Sequence, residues 1–179
     1  MNIALLALHV VVGVLFAGHG AQKLFGSFGG HGLEGTAGFF ENVGLRPGWL
    51  TARMAGASEF VGGVLIAFGL LTPIAAALLI ATMVAAVATV HFKNGPWVTE
   101  QGYEYNLVLI LALFVMAATD AGRYSLDHAF GLAMGNTAWG LAALAAGIIG
   151  GLGAVAFGRM GARQERRAAG RGGRPIAGH

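Results

Sequence analysis

Five long apolar stretches recur along the chain with few or no charges inside them, and this recurrence restricts the fold more than any motif does. A helical residue rises about 1.5 Å and a bilayer's hydrocarbon core is about 30 Å thick, so about 20 apolar residues cross it. Inside that core the peptide groups find no water, and a crossing segment satisfies them as a helix. The stretches predict spans from about Ile3 to Phe25, Leu50 to Leu71, Pro73 to His91, Glu104 to Thr119 and Ala138 to Phe157. Thr72-Pro73 separates the second from the third, because proline disfavours helix in the residue before it and suits a new helix start. A cleaved leader would want a basic n-region, whereas the first stretch carries His9 inside and runs on to Lys23, so it reads as a retained helix.

Composition agrees with a membrane protein. Hydrophobic residues make up 56% of the 179 and charged residues 11%, against about 25% charged in soluble domains. The absence of cysteine removes disulfides, thiol chemistry and Cys-ligated cofactors. The net charge of +3 does not mark a nucleic-acid binder. Six of the eleven Lys and Arg residues lie at Arg159, Arg163, Arg166, Arg167, Arg171 and Arg174, while residues 1–158 carry five basic and seven acidic side chains. The basicity belongs to a tail, and the expected partners are membrane lipids rather than nucleic acid.

Arg-rich segments stay on the cytoplasmic side. Counting back through five spans predicts an external N-terminus and a cytoplasmic C-terminus. Trp49, Trp97, Tyr103, Tyr105, Tyr124 and Trp139 fall near proposed span ends, where amphipathic rings prefer the headgroup level. Between the first two spans, Leu33, Ala37, Phe40 and Val43 recur at helical spacing, so an interfacial helix is expected over about 33–44. The expected organisation is an all-α polytopic bundle. It consists of a four-helix membrane domain over 1–130, a fifth membrane helix within 131–158, and an Arg-rich tail over 159–179 expected to be disordered.

This topology brings ionisable residues to one depth. His19 and Lys23 end the first span, Arg53 and Glu59 begin the second, His91 ends the third and Glu104 begins the fourth. Ionisable groups inside a span are expensive and face a partner or a cavity, so they mark a functional site by default. Glu59 is flanked by Ala55, Gly56, Gly62 and Gly63, a small-residue stripe that lets a neighbouring helix approach. Glu59, as proton carrier, and His91 are the expected catalytic residues, with His19, Lys23 and Glu104 binding substrate and Lys23 as the electrophilic or anion-binding group. Each also has a plain reading: an ion pair for Glu59, snorkelling for Lys23, helix-end electrostatics for His91 and Glu104. Arg53 reads as a phosphate-facing anchor. His9 reads as packing, and Asp120 and Asp127 fall on the opposite side.

A quinone headgroup suits the cluster, since its carbonyls want donors such as Lys or His and quinol oxidation needs a proton acceptor. Metal is the weaker reading. No Glu-x-x-His pair lies on any span, which removes a di-iron bundle. A single ion, or a haem on His19 and His91, ranks below an organic occupant, and no metal ligands are assigned. On the fifth span, Gly147, Gly151, Ala154 and Gly158 form a small-residue pattern for packing, within the chain or in a homo-oligomer.

Several segments together resemble the DoxX family of small bacterial membrane proteins. They are His19-Gly20-Ala21-Gln22-Lys23-Leu24, Gly44-Leu45-Arg46-Pro47, Glu59-Phe60-Val61-Gly62-Gly63, His91, Gly102-Tyr103-Glu104 and Ser125-Leu126-Asp127. The resemblance covers about residues 1–130; the fifth span and the tail go beyond it. It implies a four-helix bundle in the bacterial plasma membrane and a link to redox metabolism and redox stress. Relatives in the wider group are subunits of a thiosulfate:quinone oxidoreductase, and DoxX proteins are associated with a sulfurtransferase and a superoxide dismutase in a membrane complex. The resulting expectation is a membrane subunit of an oxidoreductase system, not necessarily catalytic alone, with membrane or cytoplasmic redox proteins as partners. Two other readings stay open: a scaffold that assembles redox partners, and a small-solute or proton transporter.

Overall fold

The computed structural model describes residues 2–132 and 134–172. Helices α1 (Asn2–Phe25), α2 (Gly32–Asn42), α3 (Gly48–Phe68), α4 (Thr72–Ala86), α5 (Glu104–Ala118), α6 (Leu126–Ala129) and α7 (Thr137–Gly172) follow in order, with no strand among the described residues. A π-helical turn, Val87–His91, continues α4. Four segments are long and apolar enough to cross a membrane: Asn2–Phe25, Gly48–Phe68, Thr72–Asn94 and Thr137–Glu165. The fifth apolar helix, α5, has 15 residues and reaches about 22 Å. The chain is an all-α polytopic membrane protein.

Glycine sets how closely α1 and α3 pack. A Cβ on Gly13 would collide with the backbone of Ala67, one on Gly20 with Phe60, and one on Gly63 with Gly13 and Ala17. Two helix backbones therefore approach closely, as small-residue interfaces in membranes allow. The stripe around Glu59 works on two sides: Gly56 faces Leu24 and Lys23, while Gly62 faces Leu79 of α4. Phe16, Ile66, Leu79, Ile80, Leu113 and Met116 fill the core between α1, α3, α4 and α5.

The α3–α4 hairpin is fixed by a residue far along the chain. Gly69 ends α3 in the left-handed region (φ 58°), and Leu71 is held there too (φ 49°) just before α4. Leucine rarely adopts such a backbone, and Asp127 of α6 compensates. Its carboxylate accepts from the N–H of Leu71 (2.7 Å), the N–H of Thr72 (3.0 Å) and the Thr72 hydroxyl (2.8 Å). Asp127 is thus a buried cap on α4, at the end of the bundle opposite α2.

One sequence expectation needs correction. The fifth helix is not confined to 138–157, because α7 runs to Gly172 through the segment expected to be disordered. Ala, Arg, Gln and Glu are good helix formers that extend an anchored helix at little cost; residues 173–179 lie outside the described residues. Several small residues of α7 pack within the chain, one of the two roles expected for them. Gly147 packs on Ile80, Gly151 on Ala81 and Val84, Gly158 on Leu45 and Gly161 on Arg46. Arg46 N–H also donates to the Gly158 carbonyl (2.9 Å), and its guanidinium pairs with Glu165. The α2–α3 loop is thereby tied to α7.

Candidate functional site

Lys23 lies in the last turn of α1, and its long stem lets the ammonium reach one turn along α3. There it donates to Glu59 Oε2 in an ion pair across the α1–α3 interface. The Glu59 side chain is 6% exposed and that of Lys23 26%. The close approach at Gly56 brings α1 near enough for this contact.

Both residues line a cavity of about 730 Å³ at the α2 end of the bundle. Met54, Ala55 and Ser58 of α3, Ala81 and Ala85 of α4, and Gly153 and Phe157 of α7 form its walls, with Phe39 and Phe40 of α2 at the floor. Polar groups are few. Thr82 and Thr89 return their hydroxyls to carbonyls of their own helix, Leu79 (2.8 Å) and Ala85 (2.7 Å). Their methyl groups are then left to the lining. The pair of Lys23 and Glu59 is thus a localised charged feature in an apolar chamber.

His91 also lines this cavity. Its Nδ1 lies 2.7 Å from the Gln101 carbonyl, which only accepts, so Nδ1 carries the proton. In the neutral ring Nε2 is then an acceptor. Asn94 Nδ2 donates to the same carbonyl (3.2 Å), so the α4–α5 loop holds the ring in place.

His19 and Glu104 do not join them. His19 is exposed, with Nδ1 donating to Gln22 Oε1 (3.1 Å), and it is absent from the cavity wall. Residues 19 and 23 are about 40° apart around a helix, and the cavity's edge falls between them. Glu104 is half-buried in the first turn of α5, where a carboxylate complements the helix dipole, and it too is off the wall. Arg53 points away and stacks over Trp49, 5.1 Å from the ring centroid. Among the described residues, no three His, Asp or Glu side chains come together to hold a metal ion.

Sequence reasoning missed the contribution of α7 to this wall, since Gly150, Gly153 and Phe157 carry no chemical signal. It also missed Ser58, although that residue adjoins Glu59. At the opposite end His9 is 2% exposed, its Nδ1 bonded to the Leu5 carbonyl (3.0 Å) and its Nε2 buried without a hydrogen-bond partner.

The comparisons with known proteins fall on the same helices. The DoxX profile matches residues 4–92, which takes in α1 to α4 and all of Lys23, Glu59 and His91. CatD of Bacillus subtilis (strain 168), provisionally named an oxidoreductase, is 35% identical over 126 residues, covering 70% of this chain and 86% of CatD. The membrane protein Rv3486 of Mycobacterium tuberculosis is 27% identical over 135 residues, 70% of this chain and 80% of its own length. No solved structure matches. The profile match, the extent of the CatD likeness and the all-α membrane bundle lead to one conclusion: the chain belongs to the DoxX family.

Proposed function

We propose that this protein is a membrane subunit of an oxidoreductase system and that the Lys23–Glu59 cavity binds a quinone or a similar small substrate. The observation that carries this reading is the placement of the ion pair in an apolar chamber. Desolvating two charges costs several kcal/mol, and a hydrophobic pair of similar volume often serves stability as well or better. A charged pair retained inside an apolar span points instead to chemistry. The volume falls within the roughly 300–1,000 Å³ of small-molecule sites, which are mostly apolar with a few placed polar groups.

The donor set fits a quinone headgroup. One N–H of the Lys23 ammonium goes to Glu59, which leaves two to donate to a carbonyl oxygen. Glu59 is the proton acceptor and donor of the site, held in position by Lys23. His91 offers Nε2 as an acceptor elsewhere on the wall. A bound quinone supplies two-electron, two-proton chemistry; the protein's residues orient the headgroup and handle the protons. The provisional name of CatD supports an oxidoreductase role. The Arg residues of α7 support a cytoplasmic α2 end through the positive-inside rule, and in that orientation the cavity would lie within reach of cytoplasmic redox partners.

The test is quinone-linked redox activity in membrane vesicles carrying wild type or Glu59→Gln at matched abundance. The amide keeps the shape and loses the proton-handling carboxylate, so activity should fall by at least about 100-fold. Full activity in a correctly inserted variant would rule out the proton role of Glu59.

A further inference from the structure

The cavity has a side as well as a floor. At the α2 end, α3 and α7 touch only marginally, while each packs more extensively on α4. In the gap between them stand Met54 of α3 and Phe157 of α7, with Leu78 of α4 behind. All three line the cavity and remain exposed. These positions lie within apolar spans, so whatever part of them faces outward meets acyl chains rather than water.

Two glycines at this gap differ from the others on α7. Gly147, Gly151, Gly158 and Gly161 each sit where a Cβ would strike a neighbour. A Cβ on Gly153 would meet nothing within 4 Å, and one on Gly150 would meet only the Ala81 Cβ at 3.5 Å. Both line the cavity and both are exposed. Glycine inside a helix costs stability relative to alanine, and close packing does not account for it here. What the missing side chains leave is open space along the cavity's α7 wall.

We infer that the cavity opens sideways into the lipid phase between α3 and α7, with Gly150 and Gly153 at the rim of the portal. Its occupant is a net-neutral, membrane-dissolved molecule with an apolar body and a hydrogen-bonding headgroup. The headgroup reaches Lys23 and Glu59, and the apolar body lies against α7. Neutrality follows from the pair itself. Lys23 and Glu59 already balance, so a small inorganic anion would bring an uncompensated charge into an apolar chamber. This inference rests on the functional reading above and selects within it: the substrate arrives from the bilayer, not from water.

The test uses the full chain in lipid nanodiscs and decylubiquinone, a neutral quinone with a ten-carbon tail. Gly153→Leu narrows the portal and should slow loading by about tenfold or more. Gly18→Leu is the control, because a Cβ there also meets nothing within 4 Å and Gly18 is off the cavity wall. It should bind as wild type does. The chain has no cysteine, so Gly153→Cys can be folded first and then blocked with a bulky maleimide, which separates blockage from misfolding. Loading that fails only after labelling supports the portal. If labelled Gly153→Cys and Gly153→Leu load normally while Glu59→Gln does not, the portal is wrong and the site reading stands. If wild type and Glu59→Gln retain only equal traces, both fall together.

Discussion

Lys23 and Glu59, 36 residues apart in sequence, form an ion pair that joins the end of α1 to the interior of α3. The pair sits where three helices meet the cavity: close-packed α1 and α3, and the floor helix α2. Its energetics should show the asymmetry of buried charges. Removing one partner strands the other, whereas removing both leaves an apolar contact. Glu59→Ala alone should destabilise the protein by about 2–3 kcal/mol, below the 3–5 of a fully enclosed pair because Lys23 keeps some exposure. The double variant Lys23→Met, Glu59→Leu should recover most of that loss. Thermal unfolding in a mild detergent measures both; strict additivity of the single losses would contradict the pairing energetics.

Asp127 should matter for stability and not for ligand retention. Its carboxylate accepts three hydrogen bonds at the start of α4, far from the cavity. Asp127→Ala leaves buried donors unsatisfied and releases the left-handed turn at Leu71, at a cost of about 2–4 kcal/mol. Unfolding midpoints and quinone retention, measured on the same samples, separate the two effects. Loss of ligand without loss of stability would contradict the capping role.

Among the ionisable residues at the α2 end, His19 and Glu59 should behave oppositely. His19→Ala removes an exposed ring bonded to Gln22, so bound quinone should stay within about twofold of wild type. Glu59→Gln should lose it. A large loss in the His19 variant would place that ring in the site after all.

The α1–α3 contact admits a steric prediction. Gly63→Leu puts a side chain into the backbone of α1, and such overpacking typically costs about 1–3 kcal/mol and more where backbone must shift. Gly18→Leu, facing open space, should be near neutral. The yield of monodisperse protein and its melting temperature report the difference. Equal behaviour of the two variants would mean that α1 and α3 are not so close.

Much of this was legible in the sequence because a bilayer leaves few options. Long apolar runs become helices, and Glu59 stands out because a carboxylate inside such a run has to be answered by something. The topology put Lys23 at the same depth, and the structure pairs them. What sequence did not show is azimuth. His19 and Lys23 share a nominal helix face, yet only the longer side chain reaches the cavity. The wall supplied by α7 was hidden for the same reason: glycine and alanine announce neither which way they face nor what they leave empty. Asp127 was hidden differently, since its partners at Leu71 and Thr72 lie more than 50 residues upstream and only tertiary structure brings them together. The helix beyond Arg159 was misread because a run of charges was weighed above the helix propensity of the residues carrying it.

The most direct measurement is the quinone content of protein purified from native membranes, by mass spectrometry, with wild type beside Glu59→Gln. Near-stoichiometric quinone in wild type that disappears in the folded variant is the expected result. Equal traces in both would mean carried-over membrane lipid and would contradict a ligand site at Lys23 and Glu59.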